Sequence, residues 1–126
     1  MSSPGPIGWA RADLAAQLVA ALPDMPVHPA MPGRINTPCA VIAERSPLAE
    51  PDQITGAITV HLEAVIFAHG LDPAAVAWLD TTTDHLIAEL WDVLPAPAYG
   101  TVPLPDGQTY LVSRIPVDTT VTLTTD

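Results

Sequence analysis

Lysine is absent from this 126-residue sequence, and its four arginines (Arg11, Arg34, Arg45, Arg114) stand against fourteen acids, a formal net charge of −10. Phosphate backbones are held by clustered basic side chains, so four scattered arginines exclude sequence-nonspecific nucleic-acid binding. The single cysteine, Cys39, excludes an internal disulfide framework and indicates neither a redox compartment nor secretion. The first residues, Met1 to Pro6, carry no positive charge ahead of an apolar run, so no signal peptide is expected there. No stretch approaches 18 continuous apolar residues, and no membrane span is expected.

What is present describes one domain. A chain of 126 residues holds one hydrophobic core comfortably, and a hydrophobic fraction of 48% argues against disorder. Fifteen prolines, most of them between the apolar segments, imply short elements joined by stiff, extended loops. An acidic surface repels DNA, which suits either an ordinary soluble protein or one that DNA passes without sticking.

Helical periodicity covers Trp9 to Leu22, with Leu14, Leu18 and Leu22 joined by Ala15, Val19 and Ala21 on the apolar face. Pro23 closes that helix, and residues 1–8 are expected to be a flexible lead-in to a domain of residues 9–126. A brief extended piece at Val27-His28 precedes a Pro/Gly-rich loop. The run Cys39 to Ala43 reads as a short buried strand, followed by a loop from Arg45 to Gln53. From Ile54 to Phe67 the period is two: Ile54, Ile58, Val60, Leu62, Ala64 and Ile66 on one face, Thr55, Thr59, His61 and Glu63 on the other. Asp72 as N-cap and Pro73 at the first helical position open a helix expected to run to Leu94, with Val76, Leu79, Leu86, Ile87, Leu90, Val93 and Leu94 as its stripe. Ala98 to Leu104 is a weak strand, Pro105-Asp106-Gly107 a turn, and Gln108 to Thr125 a long strand. The interior Pro116 puts that strand at an edge or bends it. The order α-β-β-α-β-β with hairpin-like neighbours predicts an α+β fold, an antiparallel sheet packed against two helices.

Reactive chemistry is sparse. The four histidines (His28, His61, His69, His85) show no zincin spacing, and there is no CxxC, nucleophile elbow or phosphate-cradling glycine motif. His61 and Glu63 share a strand face. They could serve a metal or act as a general base, but an amphipathic strand needs polar residues there in any case. His85 reads as a solvated or interface residue. Cys39 opens an apolar strand and reads as a buried, inert thiol. No enzyme activity, metal or cofactor is expected. Trp78 and Trp91 flank the leucine stripe, and either helix–sheet packing or a subunit contact accounts for them. The threonine-rich end of the last strand could add an edge to a partner's sheet.

The order of elements resembles the tail terminator family of long-tailed phages infecting actinobacteria, related to minor tail and tail-completion proteins. The resemblance rests on the helix ending Leu22-Pro23, the strand Pro38 to Ala43, the proline-rich Ser46 to Pro51 loop, the Ile54–Phe67 strand, the Asp72–Leu94 helix and the closing segment Tyr110-Leu111-Val112 with Ile115 to Val121. It spans nearly all the chain beyond residue 8. It implies a structural subunit of a hexameric ring on the head-proximal end of a tail tube, in the virion and assembled in the host cytoplasm. Such a ring stops tube polymerisation, meets the tube protein and a head-completion (stopper) protein, and leaves a channel for DNA. Ring or partner contacts would then fall on Arg45, Pro47, Leu48, Trp78, Trp91, Thr120, Thr122 and Thr124, with Glu50, Asp52, Glu63 and Asp118 facing the channel. Rival readings are another neck connector such as a head–tail stopper, a small metal- or ligand-binding α+β protein using the His61/Glu63 face, and a monomeric adaptor.

Overall fold

The computed structural model describes residues 5–51, 56–89 and 97–122. Its elements are α1 (Pro6–Ala21), β1 (Val27–His28), β2 (Cys39–Pro51), β3 (Ala57–Phe67), α2 (Pro73–Glu89), β4 (Ala98–Pro103) and β5 (Thr109–Thr122). The strands form a five-stranded sheet in the order β1-β2-β3-β5-β4. All pairings are antiparallel except that of β1, which lies parallel to β2. The architecture is the expected α+β class, with one short parallel strand added.

Helix α1 starts earlier than its apolar pattern suggests, because Pro6 is itself the opening residue. Its missing N–H costs nothing in the first turn. Pro6, Ile7 and Gly8 are therefore helical, not part of a flexible lead-in. Ala10, Leu14, Leu18 and Ala21 recur every three or four residues and are buried against the sheet. Val19, expected on that face, is 55% exposed. Five residues beyond Leu14, it has turned about 140° around the helix.

Helix α2 begins as its cap predicts: the Ala75 N–H donates to Asp72 Oδ1 at 3.0 Å, and Pro73 is the first helical residue. The helix is described to Glu89, and its expected continuation to Leu94 lies outside the described residues. Leu79 and Leu86 are buried, whereas Val76 is 40% exposed. The threonine run, poor in helix propensity, is placed by tertiary contacts. Thr82 and Thr83 are buried, and the Thr83 hydroxyl donates to Ser113 Oγ at 3.0 Å, sewing the helix to β5. Thr83→Val keeps the shape and leaves the fully buried Ser113 hydroxyl without this partner. The expected loss is about 1–3 kcal/mol in urea denaturation. Removing both hydroxyls (Thr83→Val with Ser113→Ala) should recover part of it, and an unchanged midpoint in the single variant would show that Ser113 finds another partner.

The sheet buries both of its faces, unequally. Against the helices lie Ala40 and Ile42 of β2, Val60, Leu62, Ala64 and Ile66 of β3, and Ile115 and Val117 of β5. The opposite face carries a smaller cluster of Cys39, Val41, Val65, Phe67 and Val112, flanked by Ile35, Val102, Leu104 and Tyr110. The alternation read for β3 holds over Ala57–Phe67, Ile54 and Thr55 lying outside the described residues, and its last odd positions, Val65 and Phe67, add this second core.

Strand β2 departs most from expectation. Residues 45–51, read as a loop, continue as strand to Pro51. The register to β3 jumps between Glu44, opposite Leu62, and Ala49, opposite Val60, so five steps on β2 match two on β3. The surplus, Arg45 to Leu48, arches over the pairing line. Pro116 in β5 has a simple explanation. Strand β4 pairs with β5 only as far as Arg114, and beyond it β5 has no described partner on that side. The Ala68 N–H donates to the Leu111 carbonyl, so odd-numbered residues of β5 point their backbone at β3 and even-numbered ones point away. Register to β3 is unbroken from Val112 to Thr122, so the missing donor of Pro116 falls on the outward side.

Candidate functional site

Where the second core ends, the same face of the sheet becomes charged. His61 on β3 sits opposite Asp118 on β5, and beyond the arch Glu50 of β2 sits opposite Thr59. Two positions apart on one face is within reach of a long side chain. The His61 Nδ1 lies 2.7 Å from Asp118 Oδ1 and its Nε2 lies 2.8 Å from Glu50 Oε1. From the arch, Arg45 Nη1 donates to the same Asp118 oxygen at 2.6 Å. A second pair, Arg114 to Glu63 at 3.0 Å, follows along the face.

A carboxylate only accepts, so a ring with a carboxylate at each nitrogen satisfies both bonds only as the doubly protonated imidazolium. The pKa of His61 is raised accordingly, chiefly by the hydrogen bond to Asp118, with partial burial opposing and Glu50 assisting. Burial alone would raise the Asp118 carboxyl, but the His61 and Arg45 contacts prevail and hold it below the usual range. The cluster then balances: Glu50, Glu63 and Asp118 against Arg45, Arg114 and protonated His61.

The predicted residues therefore divide. Arg45, Glu50, Glu63 and Asp118 come together on one sheet face. The three acids are engaged by cations, and the Glu63 side chain is only 14% exposed. Leu48 and Trp78 pack, half-buried, against the main core. Pro47 is exposed on the arch, and Thr120 and Thr122 are on β5, Thr120 Oγ1 lying 3.4 Å from Thr59 Oγ1. Asp52, Trp91 and Thr124 lie outside the described residues.

His61 and Glu63 share the face as read from the alternation, but they bind different partners: Glu63 accepts from Arg114. His61 turns its nitrogens toward opposite neighbours, so its ligands diverge instead of closing on an ion, and while it is an imidazolium neither nitrogen carries a lone pair. Sequence reasoning missed the Glu50–His61–Asp118 contact because its members are distant in the chain and meet only through the strand register. His85 also finds a specific partner: its Nε2 lies 2.7 Å from the Ala21 carbonyl at the end of α1, joining the two helices. His69, beside two surface hollows, has its Nδ1 3.0 Å from Thr37 Oγ1. The Cys39 thiol is buried, and burial pushes its pKa up to about 11, the condition of an inert thiol. No helix among the described residues is long and apolar enough to cross a membrane. No protein-family model matches the chain, and no curated protein is significantly similar to it.

Proposed function

We propose that this chain is the structural subunit of a homo-oligomeric ring, a hexamer, which caps the head-proximal end of a phage tail tube, stops its polymerisation and joins tail to head around a channel for DNA. The observation that carries the reading is the pair of unlike strand flanks. Among the described residues, no strand lies along β5 beyond Arg114 on its outer side, where the backbone groups of Asp118, Thr120 and Thr122 point, and on the opposite side of the three central strands β2 has no described partner after Val41. A closed heterologous ring needs two different patches on every subunit, and these are two. The β2 flank is blunted by its arch, Pro47 and Pro51, whereas the β5 flank carries one proline near its start, so β5 is the edge suited to pairing. Of the acids expected on the channel side, Glu50, Glu63 and Asp118 are each paired with a cation of the same face, so the lining they would offer DNA is charge-balanced.

Light scattering after size exclusion, or native mass spectrometry, across a salt series tests the reading. A discrete hexamer is expected, strengthened by salt because like-charged acidic subunits repel one another. A monomer at every salt, persisting when the tail tube protein is added, would sink it.

A further inference from the structure

We propose that His61 works as a pH-operated clamp: as imidazolium it ties the β2 arm, Arg45–Pro51, to β3 and β5, and on losing a proton it releases Glu50 and loosens that arm. This inference stands on the sheet geometry and is independent of the ring reading. The arm is a segment whose attachment can change. It re-enters the register only at Ala49, pairs through Ala49, Glu50 and Pro51, and has no described strand on its outer side. Polar anchors supplement that short pairing: Glu50 at one end and Arg45 at the other, both engaged with the His61–Asp118 pair. The charged groups facing the imidazole are Glu50 and Arg45 from β2 and Asp118 from β5, with Glu63 on β3 and Arg114 on β5 further along the same face.

A neutral imidazole keeps one N–H and turns a lone pair on whichever carboxylate faces the other nitrogen. Asp118 holds a second cation, Arg45, while the Glu50 side chain is 54% exposed and can be solvated by water. The remaining proton therefore stays on Nδ1, facing Asp118, and Glu50 is the partner repelled. The direction in pH follows. The folded pKa of His61 lies above its ordinary value of 6.5, so its contribution is fully present below 6.5 and is lost as pH rises through the folded pKa. The lowered pKa of Asp118 sets the opposite limit, its contribution being lost as pH falls below the ordinary carboxyl range. The clamp is closed between these limits.

The test follows the intact chain from acid to alkaline pH. The His61 ring is titrated by NMR, and amide exchange is measured at Glu50, whose N–H faces Thr59 of β3, and, as reference, from Val60 to Ile66, corrected for the intrinsic pH dependence of exchange. His61 is expected to hold its second proton above pH 6.5. Arm protection should fall at the ring's own midpoint while β3 is unchanged. Each pKa unit that docking adds corresponds to about a tenfold loss of protection on deprotonation. His61→Gln should abolish the pH dependence, and the wild-type titration decides the matter alone if that variant fails to fold. A ring titrating at or below 6.5, an arm indifferent to the ring's titration, or equal loss of protection in β3 overturns the clamp.

Discussion

Phe67→Ala should destabilise the fold by about 3–5 kcal/mol, a large share of the roughly 5–15 kcal/mol that holds a domain of this size together. Phe67 is fully buried at the end of β3, in the cluster on the face away from the helices. Its ring meets Tyr110 edge-on, with centroids 5.7 Å apart and planes at 74°, an arrangement that favours aromatic pairs beyond simple area burial. The other buried members are Cys39, Val41, Val65 and Val112, too short to reach into the space a lost ring would leave. The valines, branched at Cβ, have little rotamer freedom with which to repack. Urea denaturation measures the effect, and Phe67→Leu should cost less because most of the volume stays. A loss under about 1 kcal/mol for the alanine variant would mean that this cluster contributes little as a core.

The same cluster shows where sequence reading stops. Helix α2 was legible at its start because Asp72 and Pro73 act locally: a side-chain acceptor and a residue without an N–H answer the needs of a first turn whatever surrounds it. The main face of β3 was legible because four even-numbered apolar residues needed one core, and they found it. Phe67 and Val65 were ambiguous, since a strand buried on both faces at one end loses its period there. The arm of β2 was illegible for a related reason. Prolines and charges between Arg45 and Pro51 look like a loop, yet outward-facing positions of a strand with no described neighbour on that side tolerate both. Of the candidate site, the residue types on the charged face were visible, but not the burial of His61, whose side chain is only 15% exposed. Their partners were not visible either, because whether Glu63 or Asp118 meets His61 depends on the register between β3 and β5, a property of two segments together. Pro116 carried partial information: it announced an edge or a bend, and among the described residues the β4 pairing ends at Arg114, which leaves Pro116 on the unpaired side.

That backbone polarity gives the sharpest test of the proposed ring, with Thr120→Pro expected to abolish assembly while leaving the subunit folded. Thr120 is an even-numbered residue of β5, like Pro116, and its N–H points away from β3. Proline there removes an outward donor and presents a ring to any incoming strand, but spares every backbone hydrogen bond between β3 and β5, giving up within the sheet only the long Thr120–Thr59 hydroxyl contact of 3.4 Å. It also asks Thr119 to stay extended, as a strand residue already is. The thermal midpoint of the monomer should therefore move little, by the equivalent of under about 1 kcal/mol, while the hexamer peak disappears. Val121→Pro is the matching control. Its N–H points at β3, opposite Ile58, so the change breaks the ladder itself and should cost the monomer about 1–3 kcal/mol. If the two variants destabilise the monomer equally, the assignment of outward and inward positions on β5 is wrong. If Thr120→Pro folds and still forms hexamers, the β5 edge is not where subunits meet, and the ring must close through the helices or the arch of β2.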